Sequence, residues 1–138
     1  GPAAVVHRDQ WTGQGTEALQ SIDRLVEGGV SVVAKREGAP LAARSAVALS
    51  EDAVWLVIHV ADASVASGTD RQVQILSSSG HGMPLWAFAD WLVTELGAVQ
   101  ALNMDGAVST NLEVAHGDHR FTLLGTLGTI NGVLFRPE

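Results

Sequence analysis

Residues 82–110, GMPLWAFADWLVTELGAVQALNMDGAVST, decide how the chain folds. Leu85, Phe88, Ala89, Leu92, Val93 and Leu96 recur at helical spacing, so they share one apolar face. Pro84 suits the first turn, where a missing N–H costs nothing, and Gly97 suits a left-handed cap at the C-terminal end. The pattern predicts a helix, then a short strand over residues 99–104 and a turn at Asp105-Gly106.

Upstream, Thr16 can cap a second helix in which Ala18, Leu19, Ile22, Leu25 and Val26 face inward, with Gly28-Gly29 ending it. Residues 30–34 read as a strand and 35–40 as a turn. Residues 45–49 and 53–61 read as a hairpin joined at Ser50-Glu51-Asp52. Residues 63–82, rich in Ser and Gly, read as a long loop with one strand near 73–76. Downstream, strands are expected at 109–115, 121–124 and 132–135, with a polar turn at 116–119. The class expected is α+β: a mixed, mainly antiparallel sheet with two helices packed on it.

The 138 residues, 46% hydrophobic and 17% charged, suit one compact domain that folds without metal or disulfide. Eight basic against 15 acidic side chains give a net charge of −7 with no basic run, which argues against nucleic acid as a partner. The absence of cysteine excludes a thiol nucleophile and a thiolate zinc site. The apolar stretches are far shorter than the roughly 20 residues of a membrane-spanning helix. Gly1-Pro2 looks like the remnant of tag cleavage, so residues 1–15 read as scar and N-terminal extension and residues 16–138 as the single domain.

Polar chemistry gathers at Asn103-Met-Asp-Gly-Ala-Val-Ser-Thr110. One meaning is a plain hairpin turn, in which Asp105-Gly106 supplies positive φ and Asn103 satisfies local donors. The other is a functional strand edge. The 82–110 stretch resembles the phosphodiester glycosidase family, whose pattern is a Leu-rich helix, a short strand and Asn-Leu-Asp-Gly-Gly-Gly-Ser. Residues 18–29 resemble that family's segment before a strand, and Arg44-Ser-Ala-Val-Ala-Leu49 resembles its Arg-Thr-Ala-aliphatic strand. The three landmarks keep family order over most of residues 17–115. The family's domain is longer, with an Asn-Gly-Gly-aromatic stretch unmatched here, so the domain is expected to be shortened at its N-terminal side and completed by self-association or by another chain.

The resemblance implies hydrolysis of a glycosyl phosphodiester without a required cofactor or metal, and a secreted or cell-envelope location. Carried over by residue, Asp105 would act as acid, base or nucleophile at the anomeric carbon, Asn103 would orient it, and Arg44 would fork onto phosphate oxygens. Gly106, Ser109 and Thr110 would contact substrate, and His81, in the preceding loop, could shuttle a proton. Arg44, Asn103, Asp105 and Ser109 are expected in one cleft, because the strand after Arg44 should lie beside the strand ending at Asn103. Ala107 and Val108 stand where the family has glycine. If those positions need glycine geometry, the chain is instead a non-catalytic carbohydrate-binding or assembly module.

The remaining candidates have plainer explanations. His116 and His119 with Asp118 fit a solvated turn better than a metal site. His59, inside an apolar strand, fits a hydrogen-bonded core histidine. Trp86 and Trp91 cannot share a helical face closely, so one should pack inward and the other lie near an edge.

Overall fold

The computed structural model describes residues 3–13, 21, 23–60, 63–65, 70–75, 82–104, 106 and 112–124. After a single 3-10 turn at Arg8–Gln10 come β1 (Arg24–Glu27), β2 (Val30–Ser31), β3 (Arg44–Leu49), β4 (Val54–His59), β5 (Ala63–Val65) and β6 (Asp70–Ile75). Helix α1 (Leu85–Leu96), β7 (Gln100–Asn103), β8 (Leu112–His116) and β9 (His119–Leu124) follow. Two sheets result, ordered β2-β1-β7-β3-β4 and β5-β6-β9-β8. Every pairing is antiparallel except β6 with β9. The expected α+β class with a mainly antiparallel sheet is therefore observed.

Helix α1 forms where the spacing places it. Pro84 stands at the N-cap with extended backbone, and Gly97 closes the helix at φ 60°. The N–H of Gly97 reaches the Val93 carbonyl at 3.1 Å and that of Ala98 reaches Leu92 at 3.1 Å, which satisfies the last turn. Phe88, Ala89 and Leu92 are fully buried against Leu25, Val26, Ala46, Ala48, Val57, Ala98 and Ala101. The alanines on β3 and β7 keep the sheet face low, so the helix settles closely onto it. A smaller cluster, Ala43 and Leu123 with Ile58, Val60, Leu112 and Phe121, joins the two sheets.

The second helix is corrected. Among the described residues α1 is the only α-helix; Arg24–Glu27 is a strand, and residues 14–20 and 22 lie outside the described residues. Gly28 and Gly29, at φ 58° and 77°, form the two-residue turn of the β1-β2 hairpin rather than a helix end. The register between β1 and β7 shifts between Arg24 and Val26, and this bulge lets the adjacent Leu25 and Val26 both sit at 0% exposure. Two successive buried residues imitate helical spacing.

The loop expected over 63–82 is also corrected, since it contains β5 as well as β6. Pairing with β9 holds Asp70–Ile75 in a strand despite its polar composition. The β3-β4 hairpin stands as expected, from Arg44 opposite His59 to Leu49 opposite Val54. The strand expected at 132–135 lies outside the described residues.

Candidate functional site

The geometry of the site begins with the β3-β7 ladder, in which Ala46 lies opposite Asn103 and Ala48 opposite Ala101. The pairing continues past the strand end, where the Met104 N–H donates to the Ser45 carbonyl at 2.8 Å. Next to it, Gly106 lies so close to β3 that a Cβ built there would be 2.8 Å from the Ala43 carbonyl oxygen and 3.7 Å from the Arg44 Cα. A bare glycine is what this approach requires. Alternation puts Arg44 and Ala46 on one face of β3, and opposed residues share a face, so Arg44 and Asn103 both belong to the face that carries α1.

Asn103 is fastened through its backbone. Its N–H donates to the Asp23 carbonyl at 2.9 Å, and the Ser21 hydroxyl donates to its carbonyl. Arg44 is half-buried and spends one edge of its guanidinium on the protein: Nε donates to the Met83 carbonyl at 3.0 Å and Nη2 to the Pro40 carbonyl at 2.9 Å. Burial lowers its pKa from the ordinary arginine value, yet a guanidinium stays charged near neutrality. No carboxylate among the described residues pairs with it. Among the described residues nothing accepts from Nη1 or from the second Nη2 hydrogen, which leaves an end-on fork rather than the side-on one.

Arg44, Asn103 and Gly106 are thus brought to one end of the β3-β7 ladder. Asp105, Ser109, Thr110 and His81 lie outside the described residues, as do Ala107 and Val108. The segment that carries His81 is anchored just after it. Gly82, at φ 110°, abuts the Ala42 carbonyl, and Met83 bridges Ala42 through N–H donation at 3.2 Å.

Two features escape the sequence patterns. His59 stands directly opposite Arg44 and shares its face; its Nδ1 is buried without a hydrogen-bond partner among the described residues, and burial pushes its pKa below 6.5. Centring the hairpin on residues 50–52 would pair 44 with 58; the observed loop spans residues 50–53, which moves the register by one and sets Arg44 opposite His59. The second is a cleft of about 720 Å³ between the β2-β3 loop and the start of α1, lined by Lys35, Arg36, Glu37, Leu41, Pro84 and Trp86 among others. The Lys35 Nζ sits 4.7 Å from the centre of the Trp86 ring. Trp91, more exposed, stacks on Phe88 at 6.4 Å, so the two tryptophans divide between inward and edge positions as expected.

A strand end pressed by a glycine, beside a partly engaged arginine that has no carboxylate partner among the described residues, defines a site suited to an anionic ligand. The model of the phosphodiester glycosidase family matches residues 2–127, and the chain belongs to that family. Neither a curated protein nor a solved structure matches the chain.

Proposed function

We propose that the chain hydrolyses a glycosyl phosphodiester, with Asp105, Arg44 and Asn103 at the reacting centre. The observation that carries this is the end-on fork of Arg44 beside the Gly106 approach, in a chain of a family named for that reaction. Arg44 holds the phosphate oxygens and Asn103 orients the carboxylate or a sugar hydroxyl. Asp105, between two residues that both touch β3, supplies the carboxylate at the anomeric carbon. Gly106, Ser109, Thr110 and His81 complete the substrate contacts.

The chemistry needs little more. Water adds to C1, the bond from C1 to the phosphate oxygen breaks, and the phosphate monoester departs with the electron pair. That leaving group is the monoester dianion, whose conjugate acid has a pKa of about 6, so it departs near neutrality without being protonated, and the one carboxylate can serve as base, taking the proton of the water, or as nucleophile. The sugar hydroxyl and the phosphate monoester are the products. Turnover of a chromogenic sugar phosphodiester, lost on Asp105→Asn with folding retained, tests the assignment; full activity in that variant overturns it.

A non-catalytic assembly module is the second possibility, and one observation favours it. Edge strand β4 exposes Val54, Trp55 and Leu56 at 46%, 40% and 43%. Soluble proteins usually protect such an edge. Absent turnover together with a stable oligomer would select this alternative.

A further inference from the structure

The cleft beside Arg44 has no role in the centre described above, and its lining is chemically selective. Its two walls are the loop around residues 35–41 and the first turn of α1. Arg44 ties those walls together, because its two acceptors are the carbonyls of Pro40 and Met83, which immediately precede the lining residues Leu41 and Pro84. Arg44 therefore borders the cleft, with its engaged edge turned toward the cleft walls.

The charge of the cleft opposes that of the chain. Lys35, the only lysine in the sequence, with Arg36 and Arg44, faces the single carboxylate of Glu37 within residues 30–50, whereas the whole molecule carries −7. Lys35 and Arg36 are exposed, and neither forms an ion pair with a described residue. The ring of Trp86 fixes the Lys35 ammonium, so less side-chain freedom is lost when an anion arrives. Ala39, Leu41, Pro84 and Trp86 supply an apolar wall. A sugar phosphate has the matching halves: a C–H face for the wall and a compact anion for the two cations. The volume is that of a small-molecule site, and the net negative charge disfavours a long polyanion.

We propose that Lys35, Arg36 and Trp86 form a binding subsite for an anionic saccharide, the phosphate-bearing residue next to the scissile linkage; the choice of that ligand rests on the phosphodiester reading of the Arg44 centre. The probe is a disaccharide of two hexoses joined by a phosphodiester, titrated into the full chain by calorimetry and by the indole N–H signal of Trp86. A methyl hexoside serves as the neutral comparison. Binding of the diester should move the Trp86 signal and shield Lys35 from a lysine-acylating reagent. Lys35→Ala combined with Arg36→Ala should weaken binding about tenfold or more while lowering the thermal midpoint only slightly, since both side chains are exposed and one contact, that of Lys35 with Trp86, is lost. Equal affinity in the double variant, an unmoved Trp86 signal, or equal affinity for the methyl hexoside would overturn the subsite. Hydrolysis with a KM unchanged in the double variant rejects the subsite and leaves the catalytic assignment standing. Binding that depends on Lys35 and Arg36 without any hydrolysis rejects catalysis and leaves the subsite standing.

Discussion

Arg44 serves two purposes with one guanidinium. Its engaged edge fastens the β2-β3 loop and the chain before α1, and its other edge is the one proposed to hold the phosphate. Arg44→Ala leaves the Met83 and Pro40 carbonyls without their donor and should cost about 1–3 kcal/mol in a denaturant titration. Arg44→Lys keeps the charge but not the planar fork, so stability should fall less while KM for the diester rises. A stable and fully active Arg44→Ala would contradict both roles. His59 gives a second residue-scale expectation. Its folded pKa lies below the ordinary 6.5, so above that pH both folded and unfolded chains hold it neutral. As pH falls below 6.5 the unfolded chain takes the proton first, and stability declines until the folded pKa is reached, then levels. His59→Gln should remove that portion of the decline when unfolding is measured from pH 7.5 to 5; an unchanged slope would show that burial of His59 carries no such penalty.

Between elements, the site depends on two places where backbone meets backbone. Gly82 is the more demanding: a Cβ there would lie 2.1 Å from the Ala42 carbonyl oxygen, at a φ of 110°. Gly82→Ala should cost about 2 kcal/mol or more and loosen the join between α1 and β3. Gly38 makes a useful comparison, since φ is 68° but nothing lies within 4 Å, so Gly38→Ala should cost only the backbone penalty of about 1 kcal/mol. Equal thermal midpoints for the two variants would refute the contact. Element by element, α1 was legible because six apolar residues, a proline and a glycine all agree on one helix. β1 was not, because its bulge buries neighbours and a Gly-Gly pair serves helix ends and hairpin turns alike. β6 depends on β9, distant in sequence, and β5 in turn on β6, so local composition does not encode either.

At the scale of the molecule, the approach of Arg44 to Asn103 followed from strand order, and the close fit against Ala43 gives Gly106 a physical reason. The pairing of Arg44 with His59 and the charge-inverted cleft needed three dimensions, since each joins residues whose individual types suggest only core or surface. The β4 edge, unpaired on its outer side among the described residues, predicts self-association at high concentration, to be read by light scattering. Leu56→Lys, which puts a charge on that edge, should shift the population toward monomer. A wild-type chain that stays monomeric at millimolar concentration would contradict the expectation.

Glycosidic cleavage is the central claim, and it differs from ordinary phosphodiester hydrolysis in which bond breaks. Hydrolysis of a sugar phosphodiester in ¹⁸O-labelled water, followed by mass spectrometry of both products, separates them. If Asp105 and Arg44 act as proposed, the label enters the hydroxyl on C1 of the sugar and the phosphate monoester stays unlabelled, with turnover lost on Asp105→Asn. Label in the phosphate would mean attack at phosphorus, and the assignment of the carboxylate to the anomeric carbon would be wrong.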